Sequence, residues 1–215
     1  MNSKFSTLLP FYDKMRTSDQ LTFEALSSRT IKKNSMVPHC VGVICVLKGR
    51  LKVYITNENG KEMTLYRLFD SDVCVLSGSC GVKNISFEVQ VRAEDDTELI
   101  TIPGTTYNNL EAKYPEIAQF SSSMMAARLS DVMWTLEQVA FSSMDKRVAS
   151  ELIEQRAMVQ SDEIVITHDE IARNLGTARE VVSRMLKYFQ NEDWITQSRG
   201  KVFIKNSSAL LELSD

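Results

Sequence analysis

The chain has 215 residues, 43% hydrophobic and 25% charged, with a formal net charge of −3, which allows one large or two small domains with a full buried core. It contains no apolar run long enough to span a bilayer, and the opening stretch from Met1 to Pro10 lacks the long apolar segment of a secretory signal, so the expected location is the cytoplasm with no membrane partner. Four cysteines without a Cys-x-x-Cys pair argue against a standard zinc site, and two histidines with no Gly-rich phosphate loop or nucleophile elbow leave an enzyme without a catalytic constellation.

Residues 1–30 read as short helices, with Ser18 as a cap before Leu21, Phe23, Ala25 and Leu26. From Thr30 to Pro103 the period changes to two. Val43 to Leu47 is a buried-strand run, and Leu51, Val53 and Ile55 alternate with Lys52, Tyr54 and Thr56. Asn59-Gly60 is a hairpin turn, from which Met63, Leu65, Leu68 and Phe69 return. Ile85, Phe87, Val89 and Val91 alternate with Ser86, Glu88, Gln90 and Arg92; Asp95-Asp96 is a second turn before Leu99, Ile100 and Ile102. Short strands with regular turns predict an antiparallel roll or barrel.

Pro103-Gly104 ends the sheet region. A short helix is expected over Tyr107 to Lys113, closed by Tyr114-Pro115. The longest helical stretch follows, Glu116 to about Phe141, without internal Gly or Pro. Met125, Leu129, Val132, Leu136 and Val139 are spaced 4-3-4-3 along it, an a/d seam. Ile117, Phe120 and Met124 extend the apolar side upstream. The seam either packs on the chain's own sheet or forms a two-fold dimer interface. Asp145 to Val159 is a further helix, leading into the C-terminal region.

That region, Thr167 to Lys205, organises the rest. Thr167 and Glu170 have capping-box spacing, and so do Thr177 and Glu180 just after Gly176. Two helix starts ten residues apart with Gly between leave room for one short helix and a tight turn. The first helix carries Ile171, Ala172 and Leu175 on one face. The second carries Val181, Val182, Met185, Leu186 and Phe189 at helical period. Its other face carries Arg179, Glu180, Ser183, Arg184 and Lys187, types that suit a major groove: Arg forks onto guanine and Glu accepts from cytosine N4. Trp194–Thr196 and Val202–Ile204 flank Arg199-Gly200-Lys201 like two strands of a wing. Two packed helices with a solvated charged face would be the plainer alternative.

The mildly acidic total hides a local excess. From Ile171 to Lys205 there are seven cations and three anions, 7 − 3 = +4. A locally basic face of this kind should bind phosphate with marked salt dependence.

A β-roll, then a long helix, then a winged helix-turn-helix resembles the Crp/Fnr family of bacterial transcription regulators across essentially the whole chain. The most specific match is Leu175 to Leu186, similar to that family's recognition helix. The resemblance implies that Glu180 and Arg184 read a shared G·C pair of the half-site. Ser183 matches the Fnr branch, with TTGA-like half-sites, and Arg179 the Crp branch, with TGTGA-like half-sites; the inner GA is favoured and the outer bases stay open. Thr167, Thr177, Arg199 and Lys201 would hold phosphates, which position but do not specify.

The sensor half departs from the family's cyclic-nucleotide binders. Phe69 to Asn84 has no Gly-Glu pair and no Arg-Ser or Arg-Thr pair for a cyclic phosphate, and its nearest cation is Lys83. No cysteine precedes Cys40, which argues against an Fnr-type iron–sulfur cluster. Cys74 and Cys80 sit in a Ser/Gly-rich stretch similar to the loop of the haem-containing branch, although Leu76 stands where a histidine would serve iron. Packing thiols, a redox or metal-sensing pair, and a haem thiolate all stay open. Cys40 and Cys45, on or beside a strand, read as packing.

The expected architecture is therefore α+β: a β-roll sensor over residues 1–115, a dimerisation helix over 116–141 and a winged helix-turn-helix over 142–215. The expected function is a homodimeric, sequence-specific regulator of transcription that meets double-stranded DNA and RNA polymerase and is controlled by an unidentified effector or redox signal at the roll. The alternative is a small-molecule or redox module whose C-terminal domain docks protein instead of DNA.

Overall fold

A computed structural model describes residues 4–38, 42–75 and 89–214. His39, Cys40, Cys80, Lys83 and the Ile85–Phe87 part of the alternating run lie outside the described residues. The chain divides into two compact units: Met1–Ile55 with Leu65–Met133, and Thr56–Thr64 with Trp134–Asp215.

In the first unit, α1 (Lys4–Leu8), a 3-10 turn (Tyr12–Lys14) and α2 (Thr17–Glu24) precede strands β1 (Arg29–Ile31), β2 (Val43–Lys48), β3 (Leu51–Thr56), β4 (Glu62–Leu68), β5 (Val73–Cys74), β6 (Gln90–Ala93) and β7 (Thr97–Ile102). Helices α3 (Gly104–Glu111) and α4 (Pro115–Phe141) follow. The strands form two sheets, β1-β7-β2-β5 and β4-β3-β6, with antiparallel ladders between β2 and β7 and between β3 and β6. The expected α+β class with an antiparallel N-terminal sheet region is what forms. Phe5, Leu9 and Phe23 pack with Val43, Cys45, Ile100, Ile102 and Ile117 in one core. Each of the Val, Leu, Ile and Phe side chains contributes about 1.5–3 kcal/mol on burial.

Local chemistry sets the ends of these elements. In the β3–β4 turn, the Asn57 side chain accepts from the backbone N–H groups of Asn59 and Lys61. Gly60 takes φ +74° there, a left-handed conformation that glycine adopts without strain. Ser18 is not the cap of α2. That helix begins at Thr17 with Arg16 in the N-cap position and no side-chain cap bond. Helix α3 starts three residues before the expected Tyr107, directly after Pro103. Helix α4 starts at Pro115, because proline at the first helical position lacks only an N–H that would have had no intrahelical partner.

In the second unit, α5 (Met144–Val159), β8 (Glu163–Ile164), α6 (His168–Leu175), α7 (Arg179–Asn191), β9 (Ile195–Ser198), β10 (Lys201–Ile204) and α8 (Ser207–Ser214) follow the end of α4. The sheet order is β8-β10-β9, all antiparallel. Val148, Leu152, Ile171, Val182, Leu186, Phe189, Ile195 and Leu210 are fully buried in its core. Strand β8 and helix α8 were not expected from the sequence. Two residues are too few to show a period, and α8 is a short C-terminal segment that packs through Leu210. Thr56–Thr64, from the end of β3 through the first residues of β4, belongs to this unit, and Met63 within it lies against Gly176.

Candidate nucleic-acid interface

The region from Thr167 to Lys205 begins at a fully formed capping box. The Glu170 N–H donates to Thr167 Oγ1 at 3.2 Å, and the Thr167 N–H donates to Glu170 Oε2 at 2.7 Å. Two orphan donors of the first turn are thereby satisfied. Helix α6 ends at Gly176, φ +62°, and the Thr177 N–H returns to Ala172 O at 2.9 Å. A left-handed glycine closing a helix in this way redirects the chain within two residues.

The second capping box does not form. The N-cap of α7 is Ala178, without a side-chain cap bond. The turn at Gly176 places Thr177 one residue too early, so it cannot serve the N–H groups beyond Arg179. Helix α7 is held instead by its apolar face, Val182, Leu186 and Phe189, all fully buried. Opposite that face, Arg179, Glu180, Arg184 and Lys187 are exposed, and Ser183 is half-buried. Glu180, Ser183, Arg184 and Lys187 fall at i, i+3, i+4 and i+7, one helix face.

Among the described residues, Arg184, Lys187 and Arg199 form no ion pair and so are available to an external anion. Arg179 Nε lies 3.7 Å from Asp169 Oδ2, and Lys201 Nζ lies 2.6 Å from Glu163 Oε1. Exposed pairs of this kind are worth about 0–1 kcal/mol, so a phosphate can take either cation over. Lys205 pairs with Asp193 across the base of the wing. Arg199 and Lys201 flank Gly200 at the β9–β10 turn, where Gly200 takes φ +74°.

His168 carries more than sequence reasoning gave it. It is half-buried and bridges three elements. Its Nδ1 lies 2.8 Å from Ser183 Oγ on α7, and its Nε2 lies 2.9 Å from Gln197 Oε1 on β9. Gln197 Nε2 in turn donates to Gln190 Oε1 on α7 at 3.0 Å. A first-turn histidine gives no sequence signal for partners so far along the chain. Arg147 Nη2 donates to Leu175 O at 2.6 Å, satisfying a carbonyl at the end of α6.

In the first unit, Cys74 is not in a loop. It lies on β5, paired with Ile44, and is 1% exposed. Its Sγ is 3.9 Å from the Tyr66 hydroxyl, and the Arg128 guanidinium lies 4.9 Å from the Tyr66 ring centroid. Burial, with the neighbouring Cys74, pushes the Cys45 thiol up to about 12. Burial also pushes the Tyr66 phenol above its usual range. Cys80 lies outside the described residues. Among the described residues no cluster of His, Cys, Asp and Glu side chains is placed to hold a metal ion.

On α4, Leu129, Leu136 and Val139 are exposed, together with Met133, Trp134 and Phe141. Met125 packs against the first unit's core, and Val132 is half-buried. The five seam positions are therefore divided between the chain's own core and open solvent.

Three helices around one core, a capped helix-turn-helix and a two-stranded basic wing define a winged helix-turn-helix DNA reader. The Crp-like helix-turn-helix domain family matches residues 146–213. The cAMP-activated global transcriptional regulator CRP of Salmonella typhimurium is 31% identical over 167 residues, covering 74% of this chain and 78% of that protein. The cAMP-activated global transcriptional regulator Vfr of Pseudomonas aeruginosa is 27% identical over 205 residues, 89% and 94% of the two chains. The crystal structure of a Crp/Fnr-family transcriptional regulator from Eubacterium rectale has a TM-score of 0.93 and 40% identity, over 96% of this chain and 98% of that one. The chain belongs to the Crp/Fnr family and is a DNA-binding transcription regulator of that type. These relatives are regulators, not enzymes. Among the described residues no helix is long and apolar enough to cross a membrane.

Proposed function

We propose that the protein acts in the cytoplasm as a homodimer on a two-fold symmetric promoter site, each protomer placing α7 in a major groove. The observation that carries this reading is the division of α7: one face fully buried, the other presenting Glu180, Arg184 and Lys187 to solvent. Glu180 accepts from cytosine N4 and Arg184 forks onto guanine of the shared G·C pair. Ser183 and Arg179 select the bases outside it. Thr167, Thr177, Arg199 and Lys201 hold phosphates and set the register.

The partner for the exposed apolar face of α4 is a second copy of this chain. Leu129, Leu136 and Val139 would meet their symmetry mates, and two readers about one DNA turn apart match a palindromic site. Two of the named relatives, CRP and Vfr, are cAMP-activated. The corresponding stretch of this chain, residues 69–84, lacks the phosphate-binding pairs that such activation calls for, so the signal acting on its roll is a different one. Through the shared helix, an effector preferring one dimer packing would bias the spacing of the two readers, and RNA polymerase would read the outcome. The buried state of Cys45 and Cys74 supports packing roles for them.

The test is binding to a palindromic duplex with TTGA half-sites against random duplex of equal length, across a salt series. The reading requires two protomers per palindrome, tighter than random duplex, with affinity falling steeply with salt. Absence of salt-dependent retention on either duplex would favour a C-terminal domain that docks protein.

A further inference from the structure

The network around His168 fixes which way hydrogen bonds run at Ser183. Gln197 spends its Nε2 on Gln190 Oε1, so the atom facing His168 is an oxygen. An amide oxygen only accepts, and the hydrogen of that contact must therefore lie on His168 Nε2. In a neutral imidazole the other nitrogen is then an acceptor. His168 Nδ1 is 2.8 Å from Ser183 Oγ, within reach for a neutral ring to accept the serine's one proton.

We infer that His168 is a positioning residue that commits the Ser183 hydroxyl proton to the protein, so that the serine meets DNA as an acceptor alone and selects a base-edge N–H donor, adenine N6 or cytosine N4. A free serine hydroxyl is indifferent, because it can turn to donate or to accept. With its proton held by His168, it offers lone pairs only. Thymine O4 and guanine O6 and N7 are acceptors in the major groove, and each would face the serine oxygen lone pair to lone pair. The same network joins the first helix, the recognition helix and strand β9, so the rotamer of Ser183 is set along with its polarity. The inference rests on the reading of α7 as the helix that faces the bases, and extends it to a residue outside that helix.

The test compares the four bases at the half-site position that responds to Ser183→Ala. Each affinity is normalised to the same variant's affinity for random duplex DNA. The full-length parent should prefer adenine or cytosine over thymine or guanine by about tenfold, the scale of one hydrogen bond. His168→Ala should reduce that preference to about twofold or less, since the serine regains both polarities. His168→Asn should retain most of it, because Asn Oδ1 can stand where Nδ1 stood and accept the same proton. In the Ser183→Ala background, His168→Ala should change the preference no further. Nitrogen-15 spectra of the parent should show the His168 hydrogen on Nε2. A hydrogen on Nδ1, or an unchanged preference in His168→Ala, overturns the inference while leaving the base-reading helix intact. If Ser183→Ala alters selectivity at no position, the assignment of Ser183 as a base reader fails, and this inference fails with it.

Discussion

Asn174 donates from Nδ2 to Glu151 Oε1 at 2.7 Å, and both residues are buried. Gln155 donates to the same oxygen at 2.8 Å. The contact pins α6, the first helix of the reader, to α5. A carboxylate in this position is stable only while donors meet it. Asn174→Ala should therefore lower the stability of the second unit by about 1–3 kcal/mol. Replacing both partners, Glu151→Met with Asn174→Leu, should recover part of that loss by removing the charge itself. Urea unfolding followed by tryptophan fluorescence measures both, and an Asn174→Ala protein as stable as the parent contradicts the assignment.

The turn between α6 and α7 has a separate requirement. Gly176 is left-handed, and a Cβ added there would come within 3.2 Å of Met63 Cβ and Cγ. Gly176→Ala should cost about 1–2 kcal/mol from the backbone, plus whatever is needed to shift Met63. In a Met63→Ala background the part due to Cγ and Sδ should vanish, while the backbone cost and the Cβ contact remain. Equal losses in both backgrounds would show that Met63 gives way without strain.

The Cys45 thiol predicts a stability slope in alkali. Its value rises from 9.0 to about 12 in the folded chain, through burial and then Cys74. A group whose folded value is raised contributes stability that is complete below the unfolded value and is lost as pH rises toward the folded one. Melting temperature should accordingly fall between about pH 9 and pH 12 more steeply in the parent than in Cys45→Ala. The same burial should keep Cys45 unreactive toward alkylating agents near neutral pH until the chain unfolds. Rapid native labelling would contradict the placement.

What the sequence revealed of this fold depended on distance along the chain. Thr167 and Glu170 are three apart, and their capping box was readable and forms. The period of α4 put its end at Phe141, where it falls. Thr177 failed as a cap because the left-handed turn at Gly176 shifts the helix start by one residue, a conformational effect that spacing alone does not encode. Cys74 was placed in a loop by the Ser and Gly around it, yet the strand pairing with Ile44 decides its environment. The partners of His168 lie 15 and 29 residues away, beyond the reach of any local pattern.

The dimer proposal concerns the exposed apolar face of α4. Leu136 is 54% exposed in the single chain. Leu136→Glu should yield a monomer at micromolar concentration in sedimentation, because two like charges would meet across a two-fold seam. Its specific affinity for the palindrome should fall at least a hundredfold through loss of the second reader. A Leu136→Glu protein that still sediments as a dimer would place the interface elsewhere.

The proposed reading of bases by the exposed face of α7 turns on Arg184. At one fixed salt concentration, a gel shift compares a matched palindrome with one whose G·C pair is changed in each half-site. The parent should discriminate by about tenfold or more per half-site, and Arg184→Ala should lose that discrimination while sedimenting as the parent does. Unchanged discrimination in Arg184→Ala would contradict the account.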